Sequence, residues 1–310
     1  MKAAVIDRYG GPEVIQVRDV PVPVCRPGEV MVRVKAVSLN PVDCKIRRGD
    51  MSFIPGRKLP WIPGADFAGI VVQSLHEDFI EDDEVFGAID PLRGGACAEY
   101  IVVSPDNLYP KSDMLTYQQS AAIGIAGLTA MNALIHMGKI KTGDHVLING
   151  CTGGVGFIAL QIGKSMHANV TGICSTDNAD FARKSGADKV LDYRKDNTGS
   201  YTAYDLIFDV HGSMSYSRMK HFMKQGGKFI SLSSRAGVLL HSMYCRMTGS
   251  QRFFRLLLRP DRHDLAALTD MVEKKRIRPH ITESYPLDHI TAAHRKYEDG
   301  GLRGKIVLVP

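Results

Sequence analysis

The chain has 310 residues, 44% of them hydrophobic and 23% charged, an ordinary balance for a soluble globular protein and a length that favours two domains. Its 39 basic and 33 acidic residues leave a net charge of +6, too mild a surplus to point to nucleic acid. No apolar run approaches the roughly 18 residues of a membrane span, and six scattered cysteines without a C-x-x-C pair exclude a disulfide framework or a zinc cluster and suit a reducing cytoplasm.

In chain order, Met1-Lys2-Ala3-Ala4-Val5-Ile6 turns polar at Asp7, which suits a first strand and not a signal peptide. Residues 30–37 alternate like a strand, and prolines at 12, 21, 23, 27, 41, 55, 60 and 63 punctuate the surrounding sequence. That pattern predicts a turn-rich, all-β domain over residues 1–115. The acidic stretch 77–84 reads as a solvated turn inside it. Residues 116–136 read as helical and lead into different material.

His145-Val146-Leu147-Ile148-Asn149 is a short apolar strand, and Gly150-Cys151-Thr152-Gly153-Gly154-Val155-Gly156 follows it directly. An amphipathic helix then carries Val155, Ile158, Ala159, Ile162 and Met166 on one face. Strand, glycine turn and helix together are the context that a dinucleotide-binding fingerprint requires. The glycines let backbone N–H groups approach a pyrophosphate at the positive end of a helix. Further strands are predicted at 168–174, 189–193, 204–210 and 226–232, with a helix at 179–185 closed by Gly186. Strands alternating with helix-length segments predict an α/β domain with a doubly wound parallel sheet. Cys151 reads either as a small buried hydrophobe or as an oxidation-sensitive thiol beside the turn.

Nine Lys/Arg against four Asp/Glu crowd residues 246–278, best read as a solvated helix face. Within that stretch, residues 251–259 mix basic and apolar side chains. They suit burial against the sheet or at a dimer interface, or else the border of a ligand pocket. A helix is predicted at 264–275 and a last strand at 305–309, and the final 50 or so residues are expected to return to the first domain.

Several local motifs accompany this division. They include Gly10-Gly11-Pro12-Glu13-Val14, Val32-Arg33-Val34-Lys35-Ala36, Asn40-Pro41-Val42-Asp43 and Pro63-Gly64-Ala65-Asp66-Phe67-Ala68-Gly69. Asp83-Glu84-Val85-Phe86-Gly87, Ala126-Gly127-Leu128-Thr129-Ala130, Gly186-Ala187-Asp188 and Gly304-Lys305-Ile306-Val307-Leu308 complete them. In that order and spacing the chain resembles the zinc-free quinone oxidoreductase branch of the medium-chain dehydrogenase/reductase superfamily, essentially end to end. The resemblance implies a GroES-like β-rich catalytic domain over 1–115, completed by about 261–310, and a Rossmann domain over 116–260. It implies NAD(P)H, with nicotinamide and substrate in a cleft, and a homodimer as a common arrangement.

Zinc members of the superfamily carry a cysteine where this chain has Asn40, and a His-Glu pair where it has Ala65-Asp66. Neither thiolate nor imidazole is present at these positions, and the structural zinc lobe is missing, so no metal is expected. Without a Lewis acid, reduction of an electron-poor acceptor is favoured over alcohol oxidation. The resemblance puts Gly153, Gly154, Val155 and Gly156 under the pyrophosphate, Thr129 at the nicotinamide and Lys305 near the cofactor phosphates. Asn40 falls at a cleft position where it could orient nicotinamide or acceptor, or else serve the turn before Pro41. Asp43 and Asp66 read as loop-holding residues. Ser175, Thr176 and Tyr193 match the 2′-phosphate pattern of NADPH members. Asp177 departs from that pattern and keeps NADH open, or else serves as a helix cap. Met51, with Phe53 nearby, stands where some relatives have a tyrosine proton donor. The expected activity is zinc-independent electron transfer from NADPH to a quinone. The alternatives are an enone or enal double-bond reductase, and an NADPH-binding sensor or structural protein with little turnover.

Overall fold

A computed structural model of the chain describes residues 1–52, 59–195, 201–233, 253–256 and 260–310. They form two compact units, one of Met1–Leu128 with Arg259–Pro310 and one of Thr129–Leu258.

The first unit opens with β1 (Lys2–Ile6) and β2 (Ile15–Asp19), an antiparallel pair. β3 (Val30–Ser38) runs into α1 (Pro41–Arg48). Pro41 at the first helical position sacrifices no hydrogen bond, and Gly49 ends the helix in the left-handed region at φ 86°. β4 (Asp66–Ser74), β5 (Glu84–Ala88), β6 (Tyr100–Val103) and β7 (Leu108–Pro110) extend the sheet antiparallel around β3. α2 (Tyr117–Met131) starts on a reciprocal cap. The Gln119 N–H donates to Thr116 Oγ1 at 3.2 Å, and the Thr116 N–H donates to Gln119 Oε1 at 3.0 Å. The helical stretch Tyr117–Met137 has the length and composition of a membrane span, but most of it is buried within the protein. A helix apolar all round is a core helix when the fold covers it. The divide between the units falls inside α2.

The second unit contains β8 (His145–Asn149), α3 (Gly154–Ser165), β9 (Asn169–Cys174), α4 (Ala179–Lys184) and β10 (Lys189–Asp192). β11 (Tyr204–Asp209), α5 (Tyr216–Met219), β12 (Met223–Ser231) and β13 (Phe253–Arg255) follow. All strand pairs are parallel, in the order β10-β9-β8-β11-β12-β13. Counted within the unit this is 3-2-1-4-5-6, the arrangement of dinucleotide-binding sheets. Leu147, Ile207, Phe229 and Tyr204 fill its core. β13 is a strand without a periodic signal in the sequence. Phe253 is buried there and stacks on Phe229 at 5.4 Å between ring centroids, and Leu256 is buried just beyond the strand. The rest of the basic-apolar segment, at 251, 252 and 257–259, lies outside the described residues.

The chain then returns to the first unit with α6 (Arg262–Glu273), β14 (Ile281–Pro286), α7 (Ile290–Asp299) and β15 (Lys305–Val309). β15 pairs parallel with β14 and antiparallel with β3, with Val307 opposite Ser38. Between α1 and α7, His294 Nδ1 lies 3.4 Å from both Cys44 Sγ and Arg47 Nη1, and Arg47 continues to Glu298. Because Arg47 donates to Nδ1, the ring proton belongs on Nε2. Burial first, and then the Arg47 charge, pull His294 down to about 3.

Candidate functional site

The glycine turn joins β8 to α3. Gly150 sits at φ 78°, where a side chain is strained, and its N–H reaches the Ile173 carbonyl at 3.1 Å. A Cβ on Gly156 would lie 2.1 Å from the Gly150 oxygen and 2.7 Å from Cys151 Cα, so only glycine lets the helix start this close to the strand. Gly153, the N-cap of α3 at φ −74°, is different. A Cβ there would meet nothing nearer than the Gly150 oxygen at 3.9 Å. The space above the helix start is open. The first turn, with Gly154, Val155 and Gly156, has N–H groups that no intrahelical carbonyl can satisfy. Those donors and the positive helix end suit the pyrophosphate of a dinucleotide.

Beyond β9, Ser175 is buried and Thr176 Oγ1 donates to Asp192. Tyr193 is 62% exposed, and its N–H ties back to the Cys174 carbonyl at 3.2 Å. Asp177 is ion-paired with Arg194 at 3.5 Å, and the Arg194 guanidinium lies 5.6 Å from the Tyr193 ring centroid. Arg194 joins this group, and its place directly after Tyr193 is the sequence signal for it. Asp209, which no sequence motif marks, ties together the C-terminal ends of three parallel strands. This buried carboxylate accepts from Asn149 Nδ2 at 2.7 Å, from Ser231 Oγ at 3.2 Å and from the Gly212 N–H at 2.9 Å.

In the first unit, Asn40, Asp66 and Lys305 meet as one buried cluster. Asn40 is 2% exposed and Lys305 6%. Lys305 Nζ donates to Asn40 Oδ1 at 2.6 Å and to the Leu39 carbonyl at 2.9 Å, and lies 3.8 Å from Asp66. Asn40 Nδ2 donates to Asp66 Oδ1 at 2.9 Å. Both ends of the Asn40 amide are therefore engaged within the protein. Lys305 is not an exposed strand end, and the partners of its ammonium lie in the first unit. Asp66 also accepts the Ile125 N–H at 3.1 Å, while Asp43 accepts the N–H groups of Asn40 at 2.8 Å and Gly64 at 3.1 Å. The two aspartates hold loops and a helix start, as their setting in the sequence suggests. Burial pushes both carboxylic acids up, Asp43 to about 7 against the pull of its two N–H donors. Burial also lowers Lys305, against the attraction of Asp66 and Asp43. Thr129 is buried on α2 and belongs to the second unit. Among the described residues, no group of three or more His, Cys, Asp or Glu gathers as metal ligands.

Two protein-family profiles match, the alcohol dehydrogenase GroES-like domain over residues 26–113 and the zinc-binding dehydrogenase over residues 185–308. A zinc-type alcohol dehydrogenase-like protein of Schizosaccharomyces pombe is 33% identical over 302 residues, covering 91% of this chain and 87% of that one. The quinone oxidoreductase of Sus scrofa is 32% identical over 325 residues, covering 100% and 98%. The solved quinone oxidoreductase of Coxiella burnetii superposes with a TM-score of 0.92 at 31% identity, covering 100% and 99%. Fold and matches together put the chain in the medium-chain dehydrogenase/reductase superfamily and, within it, in the quinone oxidoreductase branch. It is accordingly an oxidoreductase of a nicotinamide-dependent family, with a GroES-like unit and a Rossmann unit.

Proposed function

We propose that the protein passes reducing equivalents from NADPH to a quinone-type acceptor without zinc. The observation that carries this reading is the Lys305 ammonium inside the Asn40–Asp66 cluster. Zinc relatives gather ligands at these positions. Here the donor set is an amide and one carboxylate, both already bound to a cation. A divalent metal would have to displace an ammonium 2.6 Å from the Asn40 oxygen, and neither thiolate nor imidazole compensates. Alcohol oxidation depends on such a Lewis acid to stabilise the alkoxide, whereas an electron-poor quinone does not.

Four features support NADPH over NADH. Ser175 and Tyr193 offer hydroxyl groups beyond β9, Thr176 offers one on release from Asp192, and Arg194 already partners the Asp177 carboxylate that would otherwise repel a 2′-phosphate. When bound, NADPH supplies a hydride, and the chain's own groups do the positioning. The backbone of Gly153, Gly154, Val155 and Gly156 takes the pyrophosphate. Ser175, Thr176, Tyr193 and Arg194 take the 2′-phosphate. Thr129 orients the carboxamide. Asn40 acts as a positioning residue through its hold on Lys305 and Asp66. A reduced quinone takes its protons from water, so the Met51 position needs no acid.

Titration with NADPH and NADH by nucleotide fluorescence, followed by oxidation rates with 1,4-benzoquinone and 9,10-phenanthrenequinone, tests the reading. NADPH-preferring binding and rapid oxidation that persists after chelation are expected. Failure to oxidise NADPH with either quinone, or activity abolished by a chelator and restored by zinc, overturns it. Turnover with enones alone would move the assignment to a double-bond reductase.

A further inference from the structure

Two cysteines converge on the nucleotide turn. Cys151 is its second residue, fully buried, and its N–H reaches the Ile173 carbonyl at 3.2 Å. Cys174 is the last residue of β9, buried, and directly precedes Ser175. A Cβ on Gly172 would lie 2.7 Å from Cys151 Sγ. The Cys151 thiol therefore lies against the face of β9 that Gly172 and Cys174 share by the period of two. Cys174, two residues beyond Gly172, faces the same side of the strand, and the two thiols influence one another there.

We propose that Cys151 and Cys174 form a dithiol that peroxide oxidises to a disulfide, and that this disulfide closes the nucleotide site. The consequence for the cofactor rests on the reading of the turn as a dinucleotide cradle; the disulfide itself does not.

The interaction divides the roles. Cys151 is raised, first by its interaction with Cys174 and then by burial. Cys174 is lowered by the same interaction. By contrast, burial raises Cys25, Cys44 and Cys97. Among these cysteines Cys174 is the nucleophile, because the thiolate is the reactive form. Its sulfur attacks one oxygen of hydrogen peroxide, the O–O bond breaks, and a sulfenic acid forms with release of one water. The Cys151 sulfur then attacks the sulfenic sulfur, the S–S bond forms, and the hydroxyl leaves with the Cys151 proton as a second water. Two thiols lose two electrons and one peroxide gains them.

Bond formation draws the sulfurs together to about 2 Å. The turn has no slack to absorb this, because Gly156 already packs against the Gly150 oxygen and Cys151 Cα. Pulling on Cys151 therefore shifts the backbone that leads to Gly153, and pulling on Cys174 shifts Ser175.

The test uses the full reduced chain, hydrogen peroxide as the probe, alkylation in denaturant and peptide mass mapping, with NADPH titration before and after. A cross-linked Cys151–Cys174 peptide lacking two hydrogens is expected. NADPH affinity is expected to weaken at least tenfold, as an order of magnitude for a distorted cradle, and to return with dithiothreitol. Cys174→Ser should bind NADPH like the reduced parent and ignore peroxide. Three results overturn the proposal: a map without this link, a link that leaves NADPH affinity unchanged, or peroxide-induced loss of binding in Cys174→Ser. If reduced protein binds no NADPH at all, the cofactor reading fails, and the map alone then decides whether the dithiol exists.

Discussion

Gly153 and Gly156 lie three residues apart and should fail in opposite ways when substituted. Gly153→Asp places a carboxylate in the open space above the helix start, where a Cβ touches only the Gly150 oxygen at 3.9 Å. Backbone at φ −74° accepts any residue, so the fold should tolerate the change. At about 5 Å from a phosphate charge, the repulsion is about 1 to 3 kcal/mol for an effective dielectric between water and protein surface. Two phosphates and the lost volume bring the expected loss of NADPH affinity to roughly a hundredfold or more. Gly156→Ala instead drives a methyl group to 2.1 Å from backbone oxygen, and β8 or α3 must shift. Overpacking of this kind costs about 2 kcal/mol, or roughly 4–8 °C in melting temperature. Fluorescence titration and thermal melts on both variants, with Gly153→Ala as control, separate the effects. Gly153→Asp protein that melts normally and binds NADPH like the parent would refute the cradle.

Arg194→Ala removes the cation beside Asp177 and should weaken NADPH by roughly 10- to 100-fold, from a charged hydrogen bond of about 1.5–3 kcal/mol, with little effect on NADH. Equal losses for both nucleotides would deny it a 2′-phosphate role. Lys305→Met leaves Asp66 buried without its cation and should cost about 3 kcal/mol in urea unfolding. Pairing it with Asp66→Asn should recover part of that loss, and additive losses would mean that the two side chains are not coupled. His294 is held neutral at about 3, so the unfolded chain takes up a proton that the native state refuses. Stability contributed by His294 is therefore complete above its ordinary value of 6.5 and drains away as pH falls towards 3. Near pH 4.5 the loss relative to pH 7 is about 2–3 kcal/mol, and His294→Phe should flatten it in paired urea titrations. An unchanged slope would show that other groups govern the acid limb.

The parallel sheet is legible in sequence because strands such as Leu206-Ile207-Phe208 are buried on both faces and must be continuously apolar. The glycine turn is legible for a related reason: Gly150 and Gly156 answer to local backbone geometry, which spacing records. β13 is not, because three residues set among arginines carry no periodicity, and only the stacking of Phe253 on Phe229 decides their state. Lys305 shows the sharper limit. Its number and strand can be read, but its partner Asn40 is 265 positions away, and nothing local says that its ammonium is buried. Asp177 taken alone argues against a phosphate; Arg194 changes its meaning only once the turn after β10 brings the two side chains together.

β15 has a consequence for the order in which the protein can be completed during synthesis. Translation produces every strand of the parallel sheet by Arg255, so that unit can organise while the chain is still growing. The other sheet waits. β3 is translated early, yet its neighbour Val307 emerges at the far end, and the ammonium that balances Asp66 arrives with Lys305. Until then the nascent chain carries an open strand edge and a carboxylate without its cation, the kind of exposed edge on which newly made proteins aggregate.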